Sequence, residues 1–189
     1  MSASPSIAPT GYWGGATAHL YHAWSPSLAE WIALYLRGQE DVPVYDFGCG
    51  MGSYMRHLRA AGFRRVVGFE GEVPLRPDCD GIMAQDLTLP FRAGAPGNAL
   101  CLEVAEHVPA EFEDVLLDNV AAGCGASLIL SWAVRGQGGD GHVNCRDNEE
   151  VVERLSRRGL RLLPTDTLSA RSVIVDLQWF RNTLLVFRR

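Results

Sequence analysis

"VPVYDFGCGMGSYMRHLRAA", Val42 to Ala61, decides how the rest of the chain is read. Val42 to Phe47 is a short apolar run interrupted by Asp46; Gly48, Gly50 and Gly52 follow at alternate positions; Tyr54, Leu58 and Ala61 then share one side of a helical pattern over Met51 to Ala61. An apolar strand that passes through glycines into a helix marks a turn where backbone comes close to a partner. Glycine tolerates positive φ and puts no Cβ in the way. Dinucleotide sites use the same logic with G-x-G-x-x-G, which brings a helix N-terminus to a pyrophosphate. Here the third glycine follows the second by two residues, and Asp46 stands two before the first. That spacing disfavours a NAD-dependent dehydrogenase.

Outward from this turn, strand-like and helix-like patterns alternate. Val66 to Glu70, Ile82 to Leu87, Ala99 to Val104 and Ser127 to Val134 read as further strands, and the final apolar run lies within Leu184 to Phe187. Ala110 to Ala121 reads as an amphipathic helix, and Asn148 to Arg158 as another, closed by Gly159. Before the first strand, Ser25-Pro26-Ser27 starts a helix through Arg37, with serine as cap and Glu30 three residues after Ser27. Strands without polar alternation, separated by helices, predict an α/β domain with a mostly parallel sheet covered on both faces. In such sheets ligands bind beyond the carboxyl ends of the strands.

The 189 residues allow one well-buried domain, divided here into a disordered leader over 1–11, an aromatic and helical cover over 12–40 and the main domain over 41–189. The leader lacks the basic start and apolar run of a secretory signal, and no stretch approaches the roughly 20 apolar residues of a membrane span. A net charge of -5 and the absence of a basic block disfavour a nucleic-acid partner. All 17 basic residues are arginine, so no lysine is available as Schiff base or phosphate clamp. Cys49, Cys79, Cys101, Cys124 and Cys145 form no CxxC pair, which predicts reduced thiols in a cytoplasm and no zinc knuckle. No HExxH-type spacing occurs, so no bound metal is expected. A monomer or homodimer is expected.

Asp46-Phe47-Gly48-Cys49-Gly50-Met51-Gly52 resembles the first motif of class I S-adenosylmethionine-dependent methyltransferases. Glu103-Val104-Ala105-Glu106-His107-Val108 resembles their EVxEHV stretch after the fourth strand. The resemblance covers nearly all of 20–189 and, with "LSWAVRGQGGDGHVNCRDN", is narrower to a group of small bacterial and phage-associated members. It implies a Rossmann-like domain with a seven-stranded sheet in the order 3-2-1-4-5-7-6 and an antiparallel seventh strand. It further implies S-adenosylmethionine as cofactor, with S-adenosylhomocysteine as product, and a small-molecule substrate. Asp46, Gly48, Gly50 and Gly52 would lie against the methionine moiety, Glu70 on the ribose hydroxyls, Asp86 and Leu87 at the adenine, and Glu103 on the cofactor's amino group or the substrate.

Methyl transfer to O or N of an acceptor requires placement of the nucleophile and, where needed, removal of its proton. His107 is a candidate base or substrate contact, with a packing role as its alternative. His142 and Asn144, in the glycine-rich loop after the fifth strand, offer a titratable ring and an orienting amide. His142 could equally tie down its own loop. Glu106 reads as a structural acid or helix cap, Gln137 and Trp132 as possible pocket lining, and Arg171 as a solvated arginine or a partner for a substrate carboxylate. Tyr12, Trp13, His19, Tyr21, His22 and Trp24 read as a lid or as packing for the first helix. A catalytically inactive cofactor-binding scaffold and an aminopropyltransferase-like enzyme remain the alternatives.

Overall fold

The computed structural model describes residues 6–15, 20, 22–74 and 77–189. The first described segment is a small antiparallel hairpin, β1 (Ser6–Ile7) and β2 (Trp13–Gly14). Residues 6–11, expected in the disordered leader, are therefore its first arm and its turn. They are ordered by contacts with the domain: a Cβ on Gly11 would collide with the His107 carbonyl oxygen, so backbone lies against backbone there.

Helix α1 (Pro26–Tyr35) starts from Ser25, whose hydroxyl accepts from Leu28 N at 3.1 Å and donates to Asp176 at 2.6 Å. Ser25, not Ser27, is thus the cap, with Pro26 at the first helical position where its missing N–H costs nothing. The main domain then runs β3 (Val44–Phe47), α2 (Ser53–Ala60), β4 (Val66–Glu70), β5 (Ile82–Ala84), β6 (Gly97–Cys101), α3 (Glu113–Gly123), β7 (Cys124–Ser131), α4 (Asn148–Ser156), β8 (Arg161–Leu162), α5 (Pro164–Val173), α6 (Phe180–Thr183) and β9 (Leu184–Arg188).

Seven strands form one sheet in the order β5-β4-β3-β6-β7-β9-β8. Numbered from β3, this is the expected 3-2-1-4-5-7-6. The pairs from β5 across to β7 are parallel, and β9 runs antiparallel to both neighbours. Alternation along the strands sorts side chains between two helical layers. Leu128 and Leu130 of β7, with Leu185 and Phe187 of β9, pack on the face covered by α3 and α4. Ile129, Leu184 and Val186 pack on the opposite face with Leu28 and Ile32 of α1, Met55 and Leu58 of α2, and Ala170 of α5. Each fully buried side chain of this size contributes about 1.5–3 kcal/mol.

The consequence for function is positional. The carboxyl ends of β3, β4, β5, β6 and β7 open on one edge of the sheet, and β3 is where the order reverses. Among the described residues no helix is long and apolar enough to cross a membrane.

Candidate active site

A cavity of about 410 Å³ lies at that edge, beneath the β1–β2 hairpin. This is within the usual range for a small-molecule site. Its floor is the turn after β3. Gly48, Gly50 and Gly52 all have positive φ, at 77°, 53° and 82°. A Cβ on Gly48 would collide with Val104, and one on Gly50 would come within 2.5 Å of His22 Nδ1. Gly48 and Gly50 line the cavity; Gly52 does not, and instead forms the left-handed start of α2 beside Cys79.

Glu70, at the end of β4, is the most firmly placed acid. Its Oε2 accepts from Gly50 N at 2.8 Å and its Oε1 from Gly71 N at 2.9 Å. Each oxygen keeps a second lone pair for a ligand hydroxyl. Burial raises the carboxyl's pKa, against the lowering by these two N–H groups. Asp46 is less fortunate: it is 2% exposed and its Oδ2 has no hydrogen-bond partner. Burial, and then the neighbouring Glu70, push its carboxyl up to about 7.

Asp86 and Leu87 line the same cavity on the β5 side. Asp86 Oδ1 accepts from both Thr88 N and Thr88 Oγ1, at 2.9 and 2.7 Å, while Oδ2 accepts from Thr10 Oγ1 of the hairpin at 2.9 Å. Nothing in the sequence signalled Thr10, because its partner lies 76 positions away.

At the other end stands the EVAEH stretch. Glu103, with φ 57°, is the one non-glycine among the described residues in the left-handed region, an unfavourable backbone that is concentrated at functional sites. Its N–H donates to Ser131 Oγ at 2.8 Å. Burial lifts its carboxyl to about 7, opposed by the Ser131 hydroxyl and the Trp179 indole. Glu106 is fully buried and neither of its side-chain oxygens makes a well-formed hydrogen bond. Burial, and then Glu103, hold its carboxyl well above the usual range, against a smaller lowering by the imperfectly aligned N–H groups of Glu106 and Ala133.

His107 lines the cavity, with Nδ1 3.2 Å from Gly141 O. A carbonyl only accepts, so Nδ1 carries the ring proton and Nε2 the lone pair. Burial and the facing His142 depress its pKa to about 4. Trp13 of the hairpin and His142 each meet the His107 ring edge-on, with centroids 5.2 and 5.1 Å away.

His142 reaches the cavity as expected. Its Nδ1 is 3.3 Å from Gln137 O, and a Cβ on Gly139 would collide with its Nε2, so that glycine is what lets the ring lie flat against the loop. The loop is secured at several points. Arg135 spans Asp147 and Glu150 at its base, while Val143 N and Asn144 N donate to Glu106 O at 2.8 and 3.0 Å.

Asn144 corrects the expectation of a catalytic amide. It is 5% exposed and absent from the cavity wall. Its Nδ2 donates to Glu113 Oε2 at 3.0 Å and its carbonyl oxygen accepts from Trp132 Nε1 at 2.6 Å. Trp132 is likewise core, while Gln137 does line the cavity. Arg171 is committed to the carbonyls of Leu184 and Asn182 at 2.7 and 2.8 Å. Of the aromatic cover, Tyr12, Trp13 and His22 line the cavity, Trp24 packs on Tyr54 instead, and His19 and Tyr21 lie outside the described residues.

This sheet order, with the glycine turn after the first strand and acids after the second and fourth, is the fold of the class I S-adenosylmethionine-dependent methyltransferases. No family model matches the chain, and no curated protein matches it. Among solved structures, it is similar to a sugar N-methyltransferase from Streptoalloteichus sp., with 15% identity, 99% of each chain covered and a TM-score of 0.63. It is also similar to magnesium protoporphyrin IX methyltransferase from Synechocystis with bound SAH, at 20% identity over 85% of this chain and 81% of that one, TM-score 0.61. A [4+2]-cyclase shares the fold as well, at 15% identity over 97% and 87%, TM-score 0.56. The likeness at these identities is one of fold; chemistry has to be argued from the site.

Proposed function

We propose that the chain is an S-adenosylmethionine-dependent methyltransferase that methylates O or N of a small-molecule acceptor. The observation that carries this is the Glu70 carboxylate, fixed by the N–H groups of Gly50 and Gly71 at the end of the second core strand with lone pairs to spare. A vicinal diol is the ligand feature that such a pair of oxygens fits.

The residues present fit this cofactor in three further respects. Gly48 and Gly50 leave backbone exposed where side chains would fill the cradle. Asp46 Oδ2, buried and unpartnered, awaits a cationic donor. Asp86 and Leu87 lie on the wall reached from β5, where an exocyclic amine and a purine face would be held. When bound, the cofactor supplies a methyl group activated by its sulfonium leaving group.

The chain's own part is placement. Trp13, His22 and Tyr12 cover the cavity and exclude water. Glu103, His107 and His142 surround its other end, where the lone pair on His107 Nε2 can accept from an acceptor hydroxyl or amine and the neighbouring side chains orient it. Support for a small acceptor comes from the size of the cavity, about 410 Å³, and from the two methyltransferases of this fold named above.

Calorimetry with S-adenosylhomocysteine tests the reading, with sub-millimolar binding expected. Absence of binding sinks it. Binding with no methyl incorporation from labelled donor across hydroxyl, amine and carboxylate acceptors favours the inactive scaffold, and preference for the decarboxylated donor favours an aminopropyltransferase.

A further inference from the structure

We propose that Glu106, His107 and His142 form a site for one divalent transition-metal cation at the acceptor end of the cavity. This reverses the expectation, drawn from spacing alone, that no metal binds. The existence of the site stands on the geometry; its catalytic consequence rests on the methyl-transfer reading.

One donor atom from each of the three side chains lies within 4.8 Å of the other two. Ligands at about 2.1 Å from a shared metal lie roughly 3–4 Å apart, so closure by about 1–2 Å at the widest pair would complete the set. His142 rides on the glycine-rich loop, which can supply such a movement.

The second observation is independent of the first. Glu106 is 0% exposed and neither carboxylate oxygen makes a well-formed hydrogen bond, the nearby N–H groups of Glu106 and Ala133 giving only partial compensation. Buried carboxylates are ordinarily paired or bound to a cation. The chain contains no lysine, and no arginine lines the cavity among the described residues. Arg146 and Arg154, the nearby cations, are bound to Glu113 at 2.9 and 2.7 Å. Glu103 adds a further carboxylate next to Glu106. No lysine or arginine on the cavity wall therefore pairs with either carboxyl.

The third observation concerns the rings. Each histidine directs Nδ1 at a backbone carbonyl, Gly141 O for His107 and Gln137 O for His142, at 3.2 and 3.3 Å. Orientation of an imidazole by a backbone acceptor is the arrangement that fixes the tautomer of metal-ligating histidines and leaves the other nitrogen for the ion. Two imidazoles and a carboxylate suit Mn, Fe, Co or Zn better than Mg or Ca, and three ligands leave positions open to the cavity.

On the methyl-transfer reading this selects an oxygen acceptor. A hydroxyl bound at an open position releases its proton to solvent more readily. The oxygen then forms its bond to the methyl carbon as the carbon–sulfur bond breaks, with the electron pair leaving on sulfur as a neutral thioether.

The test uses full-length protein stripped by chelator, titrated with Co2+ and followed by d–d absorption and calorimetry, without cofactor or acceptor. One equivalent per chain is expected. Glu106→Gln and, independently, the loop variant His142→Ala should each weaken Co2+ binding by at least about 10-fold. His57→Ala, which removes a half-buried histidine paired with exposed Glu30 outside the cavity, should leave it unchanged. No binding by the wild type, or wild-type affinity in both Glu106→Gln and His142→Ala, overturns the proposal. S-adenosylhomocysteine binding measured on the same samples separates the two readings: its loss with Co2+ retained removes the methyl-transfer function and leaves the metal site.

Discussion

At the end of β4, Glu70 has a backbone N–H on each carboxylate oxygen; in the turn that follows β6, Glu106, also buried, has a well-formed hydrogen bond on neither. Glu70 lines the cavity and is finished by the fold; Glu106 lies behind the cavity wall and, on the metal proposal, would be finished by a cation. The difference teaches where specificity resides. A site completed by backbone accepts one ligand shape repeatedly, because backbone geometry is set by the sheet. A site completed by side chains on a glycine-rich loop can be retuned by changing that loop.

The largest expected effect comes from breaking the finished end. Glu70→Ala should lower affinity for S-adenosylhomocysteine by about 100-fold, or ~2.8 kcal/mol, because ligand hydroxyls and the N–H groups of Gly50 and Gly71 lose their acceptor together. Calorimetry reads this directly, and a loss under threefold would show that Glu70 only shapes the turn. Gly50→Ala comes next: a Cβ placed at φ 53° and 2.5 Å from His22 Nδ1 should cost about 10-fold in the same affinity.

The loop end responds through stability. Asn144→Ala leaves Trp132 Nε1 its carbonyl acceptor but removes the amide donor to buried Glu113. Arg146 and Arg154 still hold that acid, so the cost should be about 1 kcal/mol, a Tm lowered by a few degrees, with S-adenosylhomocysteine affinity unchanged. A substantial loss of affinity would restore Asn144 to the site.

A gentler probe is pH. The Asp46 carboxyl titrates near 7 in the folded chain, whereas the unfolded residue releases its proton near pH 4. The folded state therefore binds more protons in between, and stability that is complete below about pH 4 is lost as pH rises towards 7. Thermal melts of ligand-free protein should show Tm falling across that window, and Asp46→Asn should make the fall shallower. An identical slope in the variant would exclude Asp46 as a contributor. Thr10→Val is the smallest change: freeing Asp86 Oδ2 should tighten S-adenosylhomocysteine by no more than about threefold.

Much of this was legible before any coordinates. The boundaries of β4 match the apolar run Val66 to Glu70, and Gly159 takes the positive φ, 79°, expected of a helix C-cap. These signals are local, so they survive in sequence. The ends of β5 and β7 were misread: the apolar runs to Leu87 and Val134 continue past Ala84 and Ser131 because buried loop residues such as Leu87 and Trp132 are as apolar as strand ones. The hairpin over residues 6–14 carries no strand pattern at all and is held by tertiary contacts.

Site residues divide the same way. Asp46, Gly48, Gly50 and Glu70 announce themselves by their place after a strand, and the structure gathers them on one wall. His142 and Asn144 stand two apart in one loop and look equivalent in sequence. The chain turns between them, so that one faces the cavity and the other faces Glu113. Glu106 was read as a structural cap because its sequence neighbours show only spacing; its lack of well-formed hydrogen bonds is a property of packing.

The contact between Thr10 and Asp86 has one further consequence. A ligand that takes Asp86 Oδ2 shares it with the hairpin or displaces it, and the next residue, Gly11, rests on the His107 carbonyl. On the proposed function, occupancy beside Asp86 would be thermodynamically linked to the posture of His107, and by reciprocity a ligand beside His107 would alter the hold on one beside Asp86. Two ligands that never touch would sense one another through a two-residue hinge.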